Sequence, residues 1–250
     1  MKKLAFIFWF LFYSFLAAEV RPVYTVGIEE INYFPVYSAI KNNPGSFRGY
    51  YRELLDLFAK EEGIQFRYHA FPVKRLFRKF LDEELDFKNP ASPKWQKSLK
   101  QNSNKTVFYS QKTLTFDNVL LVPRGDSPAK RQVWTLGFIR GFTPWMFKDQ
   151  IKIGTIKLQE SHSPEALLNM VLLSRVDGIE IPRSVANYHL KRMDKEGLLV
   201  HEPSILKSYK GTYYFATIKY PVLMKKFDQF LVSHAELLEN IKERYGLKGR

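Results

Sequence analysis

Residues 140–144 (RGFTP) carry the plainest chemical potential in this chain. Arg140 offers a guanidinium, Gly141 and Phe142 a turn, Thr143 a hydroxyl, and Pro144 suits the first turn of a helix. Together they make a candidate anion-binding turn, where backbone amides and a bidentate arginine would grip a carboxylate or phosphate. The bland alternative is a surface turn. Tyr33, Phe34 and Tyr37 form a second group, in the loop after the first strand, where rings can stack on a ligand held beyond the strand ends of an open α/β sheet. Lys88, Asn89 and Trp95 form a third group, and Glu180 with Arg183 a fourth; each of these residues has packing or solvation as its alternative.

Binding is thus better represented than catalysis. His69, His162, His189, His201 and His234 are scattered, with no pair at metal-ligand spacing, and the chain has no cysteine. No nucleophile elbow, phosphate loop or H-E-x-x-H occurs. No catalytic residue, metal or cofactor is expected. The missing cysteine also excludes disulfides, a thiolate metal site and a lipidated cysteine.

The scaffold that must position these groups begins after a leader. Lys2 and Lys3 precede an apolar run over residues 4–12, extended to Leu16 and closed by Ala17-Ala18 before Glu19. That order is the recipe for a cleavable signal peptide over residues 1–18, and the run is too short for a bilayer-spanning helix. The protein is therefore expected to be exported to the periplasm. At 45% hydrophobic and 16% aromatic residues, the remainder can bury a core. The net charge of +14 favours anionic partners, but the basic residues form no block and no nucleic-acid motif accompanies them, so nucleic acid is not expected. A monomer is expected.

Strand-like and helix-like segments alternate. Strands are expected at residues 22–28, 64–69, 85–87, 106–109, 117–123, 133–139, 151–158, 177–181 and 213–218. Helices are expected at 49–62, 72–84, from Ser163 onward, at 182–196 and in one long run at 221–245. Residues 88–105, rich in Asn, Ser, Lys and Pro, read as a polar loop. Repeated strand–helix–strand units imply an α/β protein with mainly parallel sheets flanked by helices.

The order of landmarks resembles the periplasmic solute-binding proteins of the amino-acid type, solute-binding family 3. The resemblance is carried by the aromatic-proline loop at 29–35 (EEINYFP), Gly49-Tyr50-Tyr51-Arg52-Glu53, Val107-Phe108-Tyr109-Ser110, the strand at 118–122, Gly137 to Phe142, Ser174-Arg175-Val176-Asp177-Gly178, and Tyr214 to Lys219. It implies the two-lobe type II periplasmic-binding-protein fold, with lobe one built from residues 19–113 plus 212–250. Lobe two, residues 114–211, would be inserted into lobe one. It also implies capture of a small polar or anionic solute by hinge closure and delivery to an inner-membrane ABC permease. The family grips its ligand carboxylate with an arginine just after a lobe-one strand. Residues 89–95 contain none, so Lys88, Lys94 or Lys97 would have to substitute. The acid that holds the ligand amine would align at Pro182, with Glu180 nearby. Two rival readings are a dehydratase-like periplasmic enzyme on the same fold, with Glu180 or Glu30 as its acid, and a wall- or membrane-associated interaction protein without a small ligand.

Overall fold

In the computed structural model the described residues are 21–40 and 43–248. The expected leader at 1–18 lies outside them. Among the described residues no helix is long and apolar enough to cross a membrane.

The chain opens with β1 (Val23–Glu29) and a small antiparallel sheet of β2 (Asn32–Tyr33), β3 (Tyr37–Ile40) and β4 (Asn43–Arg48), where a loop was expected. Then come α1 (Tyr50–Glu61), β5 (Gln65–Phe71), α2 (Val73–Leu81), β6 (Phe87–Ala91), α3 (Lys97–Asn102) and β7 (Phe108–Tyr109). The central portion holds β8 (Leu114–Pro123), β9 (Trp134–Ile139), α4 (Lys148–Lys152), β10 (Ile156–Ser161), α5 (Pro164–Leu172), β11 (Gly178–Pro182), α6 (Arg183–Arg192) and β12 (Leu199–His201). The chain returns through β13 (Tyr209–Thr217) and ends in α7 (Pro221–Ser233) and α8 (Ala235–Arg244).

Local chemistry accounts for the elements read correctly. α1 buries Leu54, Leu55 and Phe58 along one stripe, and α2 buries Leu76, Phe77 and Phe80 while exposing its basic face. Ser163 caps α5, its Oγ accepting from the Ala166 amide at 3.1 Å, with Pro164 in the first turn and Glu165 near the positive dipole end.

Four departures have physical reasons. Residues 88–105 are not a loop: β6 is buried along its whole length, and its Lys88 is tolerated there because Glu29 from β1 lies opposite it. Residues 151–158 begin as the end of α4 and turn extended only at Ile156. α6 stops at Arg192, ahead of Asp194, whose φ of +53° leaves the helical region. The long final helix is two, broken at His234, whose Nδ1 lies 3.3 Å from the Phe230 carbonyl.

The main sheet runs β10-β9-β11-β8-β13-β6-β1-β5, with β12 also on β8 and β7 also on β13. Pairing is parallel within each flank (β5/β1/β6 and β10/β9/β11) and antiparallel at the centre. Residues 209–213 of β13 pair with β8, and Tyr214, Ala216 and Thr217 pair with β6. One strand thus serves both halves of the molecule. α7 packs back on the first half, Phe227 and Phe230 meeting Phe58 at 4.9 and 5.5 Å.

Candidate functional site

A cleft of about 680 Å³, counted to its open mouth, lies between the halves. From the first half come Glu29 at the end of β1, Tyr33 in β2, Val73 and Phe77 in α2, and Trp95 with Gln96 after β6. The turn after β9 supplies Gly141, Phe142, Thr143 and Trp145, and β11 supplies Glu180. The two crossing strands contribute by alternation: Phe116 and Asn118 from one face of β8, Tyr209 and Tyr213 from one face of β13.

Aromatic packing fixes these walls. Phe116 stacks on Tyr213 with centroids 4.2 Å apart, Trp95 meets Tyr213 edge-on at 5.5 Å, and Trp145 meets Tyr209 at 5.1 Å. Phe116 can lie flat because its cross-strand partner is Gly211, where a Cβ would fall 2.1 Å from the ring.

The halves touch across the cleft. Tyr33 meets Phe142 edge-on at 5.6 Å. Gly141, at φ +87°, passes so close to α2 that a Cβ there would be 2.8 Å from the Val73 Cβ. Beyond the cleft, the Asn32 side chain donates to Glu165 at 2.9 Å, the Asn32 carbonyl lies 3.1 Å from His189 Nε2, and Phe34 packs on Tyr188 at 4.5 Å.

Charge in the site is unevenly satisfied. Glu29 and Lys88 are both about 1% exposed and face each other, Nζ to Oε1 at 3.6 Å. Tyr37 donates to the other Glu29 oxygen, and Lys88 donates to the Pro90 carbonyl beneath the rings of Phe77 and Trp95. Burial pushes the Lys88 ammonium down, opposed by Glu29. Glu180 has no such counter-ion. Its Oε1 accepts from Asn118 Nδ2 and from the Tyr209 hydroxyl at 3.1 Å, whereas Oε2 is buried with no partner. Burial pushes its carboxyl up to about 7, against the lowering effect of those two hydrogen bonds. Among the described residues the cleft is lined by two carboxylates and no lysine, arginine or histidine, and no group of three metal-ligating side chains stands together.

Of the residues singled out in the sequence, Tyr33, Trp95, Gly141, Phe142, Thr143 and Glu180 line the cleft. Phe34, Tyr37, Lys88, Asn89, Arg140 and Arg183 do not. Arg140, expected to grip an anion, turns outward: its side chain is 70% exposed and donates to Glu160 at 2.9 Å. Arg183 pairs with Asp117 at the surface. Lys88 lies behind the aromatic wall, Lys94 and Lys97 are exposed, and Asn89 is buried with its side-chain amide unpartnered. The place expected to hold a substitute for arginine presents Trp95 and Gln96 instead. Glu29, Phe77, Phe116, Asn118, Trp145, Tyr209 and Tyr213 went unread, although the even spacing of the pairs 116/118 and 209/213 was a signal for one shared strand face.

The chain matches no protein-family model and no curated protein by sequence. Its architecture does have counterparts. An ancestral arginine-binding protein bound to arginine superposes with a TM-score of 0.71 at 17% identity, covering 90% of this chain and 98% of that one. A Streptococcus pneumoniae ABC uptake transporter substrate-binding protein with bound histidine gives 0.70 at 18%, over 89% and 92%. The Bordetella pertussis BvgS VFT2 domain, as a double mutant, gives 0.67 at 17%, over 90% and 93%. The molecule therefore has the two-lobe type II periplasmic-binding-protein fold that the order of sequence landmarks implied.

Proposed function

We propose that this chain is an exported solute-binding protein that captures a small solute in the interlobe cleft and delivers it to an inner-membrane ABC permease. The observation that carries this reading is the composition of the cleft wall: both halves contribute side chains, and they meet at Tyr33–Phe142 and Gly141–Val73. A solute there would be enclosed when the halves come together and released when they part. The ligands bound in two of these neighbours, arginine and histidine, support a small organic solute. We place lobe one at 19–113 plus 212–250 and lobe two at 114–211, with β8 and β13 as the hinge strands, and the mature protein as a periplasmic monomer.

A dehydratase on this fold would find its acid in Glu180. Yet a prephenate-like polyanion would enter a cleft whose lining, among the described residues, holds two carboxylates and no cation, which opposes that chemistry. A thermal-shift screen of amines, amino acids, organic acids, sugars and oligopeptides tests the capture reading. A solute at a hundred times its dissociation constant adds about 2.7 kcal/mol of stability. Failure of every class to stabilise the protein, with salt-sensitive binding to anionic polymer instead, would favour the interaction-protein reading.

A further inference from the structure

Building on the capture reading, we propose that the solute is a small organic cation without a carboxylate, its charge held by Glu180 and its hydrocarbon enclosed by Tyr33, Trp95, Phe116, Phe142 and Tyr213. The inference starts from the sign of the site. The chain as a whole is strongly basic at +14, yet the cleft lining reverses that sign. Of its two carboxylates, Glu29 is already satisfied by Lys88 and Tyr37. Glu180 is not: one of its oxygens is buried in the cleft wall without a donor. A buried acceptor that nothing in the protein satisfies marks the place for a donor brought by the ligand. An ammonium or amidinium supplies that donor together with the missing positive charge.

The walls fit the same ligand. Aromatic faces attract a cation and its adjoining C–H groups, and the Phe116–Tyr213 stack at 4.2 Å and the edge-on Trp95 make a rigid surface of this kind. The walls also oppose a carboxylate. Arg140 points to Glu160, Lys88 is engaged behind Phe77 and Trp95, and Trp95 with Gln96 line the stretch where a cationic grip was expected. A zwitterionic α-amino acid would leave its carboxylate facing two acids with no counter-charge.

Matched pairs that differ only by the carboxylate decide the matter: tyramine and tyrosine, phenethylamine and phenylalanine, agmatine and arginine, cadaverine and lysine, tetramethylammonium and glycine betaine. Affinities are measured by calorimetry on the purified wild-type protein, on Glu180→Gln and on Arg140→Ala. The expected result is that the carboxylate-free member of at least one pair binds at least tenfold more tightly than its partner. Glu180→Gln should weaken that binding at least tenfold, and Arg140→Ala should leave it within twofold. Equal or tighter binding of the carboxylate member, or binding of organic acids unaffected by Glu180→Gln, would overturn the cation assignment and leave solute capture standing. Absence of binding by every pair and every organic acid would overturn the cation assignment, and if sugars and oligopeptides also fail to bind, the capture reading falls with it.

Discussion

Glu180→Gln should stabilise the ligand-free protein above pH 7 and cost it about 1 kcal/mol near pH 4. The carboxyl sits beside Asn118 on β8 and Tyr209 on β13, and burial raises it from 4.5 to about 7. Between those values the unfolded chain has released the proton that the folded chain still holds. Stability contributed by the protonated group is therefore complete below about pH 4.5 and lost as pH rises through 7. The difference corresponds to about 3 kcal/mol. Glutamine keeps the shape and an acceptor for Asn118 and Tyr209 but never ionises. Its amide would lack an acceptor at the Oε2 position, which costs ~1 kcal/mol. The net expectation is that the variant gains about 2 kcal/mol over wild type at pH 8. Urea unfolding at pH 4, 6 and 8 measures it. Parallel stability profiles for the two proteins would show that Glu180 is solvated in the folded state, and the reasoning on its burial would fail.

Three further outcomes follow from the same geometry. Lys88→Met leaves Glu29 as an unpaired buried charge and should cost about 3–5 kcal/mol, read by denaturant unfolding; Glu29→Gln added to it should recover part of the loss, and additive losses would refute the pairing. Gly141→Ala puts a methyl against the Val73 Cβ at a backbone angle that disfavours side chains. It should weaken solute binding at least tenfold and cost about 1 kcal/mol of stability through backbone strain, and adding Val73→Ala should restore part of the affinity but not that stability; unchanged affinity would mean that this contact does not form on closure. Arg140→Ala should leave solute affinity within twofold, because its guanidinium is spent on Glu160 at the surface; a tenfold loss would return that residue to the site.

What the sequence made legible was whatever is local. The stripes of α1 and α2, the Ser163-Pro164-Glu165 helix start and the apolar strand β8 are written within a dozen residues of themselves, and each stands where expected. β6 was hidden because its burial depends on a distant partner: Lys88 looks like a loop residue until Glu29 is brought opposite it. The site divides in the same way. Tyr33, Trp95, Phe142 and Glu180 were legible by residue type and place along the chain, but Arg140 was misplaced because its neighbour across the sheet, Glu160 on β10, could not be seen from its own segment. The charge of the cleft was the least legible property of all, since it is set by seven or more segments meeting and not by the basic composition of the chain.

The absence of cysteine from the sequence permits a direct test of closure. Exposed Lys97 and Asp149, one on each half, can be replaced by spin-labelled cysteines without background labelling. Pulsed electron resonance would then read the distance between them as solute is titrated. If the halves clamp a solute, a broad or longer distribution should narrow to a single shorter distance at saturation, with the midpoint of the change matching the calorimetric dissociation constant. A distribution that stays the same with a solute bound would contradict capture by closure.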